Sequence, residues 1–366
     1  MSSGRGETEV DRRRLLRTLG GAAGLVAWPS GTSWAATDAV PYVEADWLAR
    51  PPEGFQPLDL PGVVTKAEAR GDFGSIMQPN RLWPRADIAR RLLERVLTDL
   101  TGAPSLSAAM RRFVHPRDVV AIKVNGIAGQ NGYTMAVNFE LIAPLVEALL
   151  EIGVAADKLT IYEQFPAHLA GTRVNVAAWK LPEGVRTATH DNKDHVMPRI
   201  PVYRNVLTRY CRVFTDATAV IDLTMMKEHH ICGITGAMKN ITHGTIDNPH
   251  HHHDNQASPQ IALLYGHPIV QSRVRLHVAD AFKIIYDKGP LDEDPRMRVP
   301  HGAVYASTDA VALDTIAWQV IEAERKRRGG MTLERAGRKP RYLERAAELG
   351  VGVHDPNLIR LKSATI

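Results

Sequence analysis

The chain has 366 residues, 44% of them hydrophobic and 23% charged, which suits a soluble globular protein of two domains or one large α/β unit. Its formal net charge is only +5, and residues 1–35 supply part of that with five Arg against two Glu and one Asp. So small a surplus, with no Lys/Arg stripe interleaved with aromatics, argues against nucleic acid as a partner and leaves small anionic ligands open.

Residues 1–35 read as an address. Asp11-Arg12-Arg13-Arg14-Leu15-Leu16-Arg17 sets paired arginines before two apolar residues, and Thr18 to Trp28 is short, weakly hydrophobic and free of acids. Ser33 and Ala35 are small, as a signal peptidase requires. The apolar stretch is shorter than the ~20 residues that cross a bilayer, so no stable membrane span is expected after cleavage near Ala36. The order of parts looks like a twin-arginine signal, which predicts export of the folded protein to the periplasm by the twin-arginine translocation machinery.

Residues 36–85 are rich in Pro and Gly and predict an extended mature N-terminal segment lying over an α/β domain of residues 86–366. Ile88, Leu92, Leu93, Val96, Leu97 and Leu100 recur at helical spacing over 86–100. Val119 to Val124 is a continuous β-rich run typical of a buried strand, followed by a Gly-rich loop to Gly132. A helix over 138–152, capped by Gly153, and a strand over 158–162 complete a βαβ unit. From Gln164 to Ile200 the pattern weakens and reads as a variable connection, and 202–211 reads as helical.

Strands are expected over 219–225, 274–279 and 302–306, with helices from Pro259, from a Thr308-Asp309 cap to about Arg327, and over 342–349. A terminal strand is expected over 358–361. The fold class is therefore α/β, with a mostly parallel, possibly mixed sheet flanked by helices.

Lys123 and Asn125, Glu163, Lys227 and Asp280 stand at strand ends, and in open α/β sheets the ligand crevice lies outside the carboxyl ends of the strands. Seven of the fifteen histidines fall between His229 and His253. Lys227, His229, Lys239 and Asn240 flank a glycine-containing turn and a helix start, a place where backbone N–H groups suit a small anion. Imidazole is the commonest metal ligand, so His229, His230 and His243, with His250 or His252 and Asp254, form a candidate set for zinc, copper or iron. Consecutive histidines cannot all turn inward, and a solvated loop is the competing reading of His250 to His253.

His229 or His230 as a general acid/base is the third reading. The absence of a GxSxG elbow speaks against a serine nucleophile. Two cysteines, Cys211 and Cys232, are too few for a disulfide framework, and without CxxC the chain encodes no iron–sulfur cluster. Asp309 is expected to cap its helix, while Asp314, nearly a turn and a half on, points elsewhere.

Several of these motifs fall in one family's order. Val119 to Asn125, Lys227-Glu228-His229, Gly236-Ala237-Met238-Lys239-Asn240, Asp280 with Gly289-Pro290, and Asp309 to Asp314 resemble the domain of unknown function 362 family. The segments from Ala346 to Gly352 and Asp355-Pro356 look like its C-terminal signature. The resemblance covers roughly Val119 to Leu361 and implies an α/β domain with redox or metal-linked roles. It carries over Lys123, Asn125, Lys227, His229, Lys239, Asn240 and Asp280 as site candidates without roles. This chain has Thr224 and Met225 where members usually show Pro and a first Lys.

The leading expectation is an exported metal-dependent enzyme, with redox chemistry on a small anionic substrate. Lys227, His229, Lys239 and Asp280 are its catalytic candidates, and Lys123, Asn125 and Asn240 its substrate-binding ones. A metal-free isomerase or lyase using Lys227 and His229, and a non-catalytic metal- or anion-binding protein, are the alternatives.

Overall fold

The computed structural model describes residues 44–129 and 134–366; the signal reading of residues 1–35 lies outside them. The strands are β1 (Val63–Glu68), β2 (Val120–Val124), β3 (Leu159–Glu163), β4 (Arg186–Thr189), β5 (Ile200–Pro201) and β6 (Leu207–Thr208). They continue with β7 (Ala219–His229), β8 (Gly233–Thr235), β9 (Val274–Ile285), β10 (Arg298–Ser307) and β11 (Arg360–Thr365). Nine of them form one sheet in the order β11-β1-β10-β9-β7-β2-β3-β4, with β8 paired to the end of β7.

Strands β4, β3, β2, β7 and β9 run parallel, and β10 is antiparallel to both its neighbours. The sheet is thus mostly parallel and mixed, as expected. Its connections run outward from β2 to β3 and β4 on one side, then return to β7 and β9 on the other. The strand order therefore reverses between β2 and β7, and their carboxyl ends open a crevice there.

Helices cover both faces. Ala86–Thr101, Leu106–Met110 and Phe139–Glu151 pack on one side, where Leu92, Leu93, Val96 and Leu97 are fully buried against Ile122, Ile161 and Ile221. Each such side chain contributes ~1.5–3 kcal/mol by leaving water. Ala237–Thr242, Ser258–Gly266, Ala310–Arg327 and Tyr342–Glu348 cover the other side. Among the described residues, no helix is long and apolar enough to cross a membrane.

Three expectations are corrected. The segment expected to be extended contributes β1 to the sheet, with Val64 opposite both Ser307 and Leu361. Its flanking prolines masked a Val-Val-Thr run too short to show periodicity. The connection over 164–200 contains the helix Pro166–Gly171 and edge strand β4, whose exposed faces carry little hydrophobic signal. The helix expected over 202–211 is instead a turn, with Arg204 and Asn205 at positive φ, joining the two-residue ribbon β5–β6. The terminal strand starts two residues later than expected, at Arg360, and runs on to Thr365.

Candidate active site

Sheet register builds the centre of the site. Lys123 on β2 lies opposite Tyr162 on β3 and Asp222 on β7, and Asp222 lies opposite His277 on β9. Residues in register on adjacent strands face the same way, so four polar side chains form a row across four strands. All four are buried.

Asn240, on the helix Ala237–Thr242, closes this row from above. Its Oδ1 accepts from Lys123 Nζ at 3.2 Å and from Asn125 Nδ2 at 3.2 Å, and its Nδ2 donates to Asp222 Oδ1 at 2.7 Å. Asp222 Oδ2 accepts from His277 Nδ1 at 2.8 Å, and Tyr265 meets His277 Nε2 at 2.9 Å. Lys227 Nζ donates to Asn125 Oδ1 at 2.7 Å. The chain of bonds runs from Lys227 through Asn125, Asn240 and Asp222 to His277, and fixes every amide in one orientation.

The two lysines differ in what they have left to give. An ammonium has three donors. Those of Lys123 meet Val124 O at 2.6 Å, Asn240 Oδ1 and Glu163 Oε1 at 3.2 Å, which makes it a structural cation rather than a substrate-binding one. Gly244 is required for this: a Cβ there would sit 2.6 Å from Lys123 Cε. Lys227 is bonded only to Asn125, is fully buried, and burial pushes its ammonium down to about 7, against the pull of Asp292, Glu163 and Asp280. Burial thus favours its unprotonated form, with a lone pair, at a far lower pH than for an exposed lysine.

Asp280 stands near enough to act on Lys227 but is committed elsewhere. Its Oδ2 accepts from the N–H and the side-chain amide of Asn138, both at 2.8 Å, and Oδ1 accepts from Phe282 N at 3.2 Å. It positions the start of the helix Phe139–Glu151. The Asn138 amide oxygen in turn meets Arg173, whose guanidinium forks onto Glu140 and packs against both Trp83 and Trp179, which touch each other edge to face.

A second cluster lies along the same face of β7. The β7–β8 ladder is regular from Lys227 to His229, so these two side chains point to one side about 7 Å apart, with Glu228 on the other. His229 Nδ1 accepts from Ile231 N at 3.1 Å, which places the ring proton on Nε2. Its ring stacks between His230 at 5.0 Å and His253 at 5.9 Å. Lys239 is buried and donates to His253 Nε2 at 2.9 Å, leaving two donors.

Burial and the charge of Lys239 hold His229 far below the usual imidazole range, and His253 is lowered to about 4 by the same causes. His252, fully buried, is lowered to about 4 by burial. Folding thus favours neutral rings, so between pH 6.5 and 4 the unfolded chain binds protons that the native chain does not. Stability should fall as the pH is lowered across that window, these three rings alone accounting for about two to three of the protons taken up on unfolding near pH 5. The slope of unfolding free energy against pH checks this, and His253→Gln should remove about one proton from it.

The metal-ligand set does not assemble. His243 Nε2 donates to His252 O at 3.1 Å, and its Nδ1 meets the Thr242 hydroxyl. His230 Nδ1 donates to Gly289 O at 3.0 Å, and the Lys239 ammonium faces the histidine centre. His250 and Asp254 are exposed at the surface, and His252 is buried with neither ring nitrogen bonded. Among the described residues, no three of His, Cys, Asp and Glu converge as metal ligands. The buried Lys239 ammonium, donating to His253 Nε2 among these rings, stands against a second cation there.

The anion expected at the start of the helix Ala237–Thr242 is internal: Asp314 accepts from Ala237 N at 2.6 Å and Met238 N at 3.0 Å. Asp309 caps its own helix through Val311 N and Ala312 N, as expected. Cys211 and Cys232 are free, buried thiols, pushed up by burial to about 12 and 11. A cavity of about 700 Å³ lies beside Phe55, Val274 and Arg275 at the amino end of β9, and meets the site only through Tyr265, the partner of His277. Arg275 there is bound to Asp118, and none of the candidate residues lines that cavity.

Sequence reasoning missed Asp222, His277 and Asp292. The signal for the first two was a charged or titratable residue inside an apolar strand; for Asp292, in a polar loop, there was none.

Fold and buried groups together define an open α/β protein with a charged, partly titratable centre where the strand order reverses. The chain belongs to the family described as Domain of unknown function (DUF362), whose model matches residues 120–319 and so spans every group from Lys123 to Asp314. No curated protein matches the chain.

Proposed function

We propose that the protein is an exported acid–base enzyme, an isomerase or lyase, that takes a carbon-bound proton from a small anionic substrate. Lys227 is the base. The observation that carries this reading is a buried amine at the strand-order reversal, with one hydrogen bond and capacity to spare. In the step, the substrate C–H bond breaks and a bond to Nζ forms. The electron pair passes into the adjacent carboxylate or carbonyl.

Lys239 and the Nε2–H of His229 suit the substrate's anionic group, one strand repeat from the base. Asn125 and Asn240 orient Lys227 and act by positioning. The metal-dependent redox reading is not carried forward, because the imidazole nitrogens and Lys239 are arranged for hydrogen bonding. Export rests on the Arg12-Arg13-Arg14 signal and implies recognition by the twin-arginine machinery.

Incubation with a panel of small carboxylates in D₂O tests the reading, since a proton-abstracting enzyme replaces the labile C–H by C–D. Exchange unaffected by chelators is expected; exchange lost on chelation and restored by a metal would reverse the choice. Because the amine must be neutral to act, kcat/KM for exchange should rise with pH along a single limb near 7 and then level off. A limb near 4, or falling activity through pH 7–8, would exclude Lys227 as the base.

A further inference from the structure

Asp292 lies in the loop between β9 and β10 and is 2% exposed. One of its oxygens is held firmly: Oδ2 accepts from Arg298 Nη1 at 2.6 Å and from Thr134 N at 3.2 Å. Arg298 also donates to Thr134 Oγ1 at 2.6 Å, and Lys283 donates to the same hydroxyl at 2.9 Å. The carboxylate is thus fixed by a braced fork of donors. Its other oxygen, Oδ1, is buried and has no hydrogen-bond partner among the described residues.

A buried carboxylate oxygen without a donor is costly, and native structures keep such a group where something else meets it. Asp292 is also the opposite charge that acts most strongly on Lys227, yet no ion pair joins the two. The unpaired oxygen and the Lys227 ammonium therefore lie within electrostatic reach of each other.

We propose that Asp292 is a substrate-contacting residue whose Oδ1 accepts a hydrogen bond from a hydroxyl or amino group of the substrate. The substrate class is then a small hydroxy- or amino-carboxylate rather than a plain carboxylate. The donor rests on Asp292, the anionic group on Lys239 and His229, and the carbon between them faces Lys227. The assignment deepens the acid–base reading of the same site and rests on it for the identity of the base.

Calorimetric binding of matched pairs tests it: lactate against propionate, malate against succinate, and alanine against propionate. Wild-type protein should bind the donor-bearing member of at least one pair ten- to hundredfold more tightly, the range of a hydrogen bond to a charged acceptor. Asp292→Asn should bring the two members of the pair within threefold of each other. Should asparagine compromise the fold, as a thermal melt would reveal, Asp292→Ser should give the same loss of discrimination.

Equal affinities in the wild type, binding of neither member, or discrimination that survives both substitutions would overturn the proposal. Deuterium exchange on the same pairs is read separately. Discrimination that depends on Asp292 without any exchange sinks the base and keeps this contact, whereas exchange without discrimination does the reverse.

Discussion

Lys227→Met should abolish deuterium exchange, with a loss of 10²- to 10⁴-fold, the usual worth of a positioned general base. The same substitution should make the protein more stable at pH 6. Holding this amine away from water lowers it from 10.5 to about 7, a difference worth about 4–5 kcal/mol below pH 7. The sign follows from proton counting. Between pH 7 and 10.5 the unfolded chain carries a proton on Lys227 that the native chain lacks, so stability rises with pH through that window.

Methionine removes this cost but leaves the Asn125 amide oxygen without its donor, a loss of ~1–3 kcal/mol. The net expectation is a gain of roughly 1–4 kcal/mol at pH 6 that turns into a loss of ~1–3 kcal/mol above pH 10. Urea unfolding at the two pH values, beside the exchange assay, reads both effects. A variant that loses exchange and stability together at pH 6 would mark Lys227 as a packing residue instead.

Asp314→Ala should destabilise the protein by about 2–4 kcal/mol near pH 4, where no cost of burying the carboxylate charge is relieved, the sum of a lost helix cap and buried N–H groups left unpaired. Asp314 sits fully buried in the helix Ala310–Arg327 and holds the first two amides of the helix Ala237–Thr242, the helix that carries Lys239 and Asn240. Burial pushes its carboxyl up to about 7, against the pull of Met238 N and Ala237 N. The contact is close enough to require glycine before the helix, because a Cβ on Gly236 would lie 2.1 Å from Asp314 Oδ1.

Gly236→Ala should therefore cost a similar amount by displacing the same carboxylate. The double variant should cost little more than the worse single one, since both remove one interaction. Fully additive losses in urea unfolding would separate the glycine from the cap. Both single variants should also weaken exchange, because Asn240 orients Asn125 and, through it, Lys227.

Local pattern was enough for the strands and helices that repeat strongly. Val119 to Val124 and Ala219 to Met226 are runs that only a buried strand explains. The 3.6-residue spacing of Leu92, Leu93, Val96 and Leu97 left one reading. Strand-end logic then pointed to Lys123, Asn125 and Lys227, and a glycine-spaced turn pointed to Lys239 and Asn240. Lys123, Asn125 and Lys227 lie together with Asn240, and Lys239 is the residue before it on the same helix, because the βαβ pattern dictates that strand ends meet on one edge of a parallel sheet.

Chemical roles within that set depended on who bonds to whom, which no spacing encodes. Lys123 and Lys227 look alike in sequence. Register sets one beside Glu163 and Asn240 and leaves the other with a single acceptor. The helix start that reads as an anion site is closed by Asp314, which arrives from a helix some 75 residues away, as Asp292 does from a loop without periodicity. The histidine run dominated the sequence because it is dense. In three dimensions its nitrogens are divided among carbonyls, a lysine and solvent. Residue types and their strand-end positions were thus decided by the sequence alone. The protonation state, free valences and partners of each group were decided by tertiary contacts, because burial and hydrogen bonding are set by residues far apart in the chain.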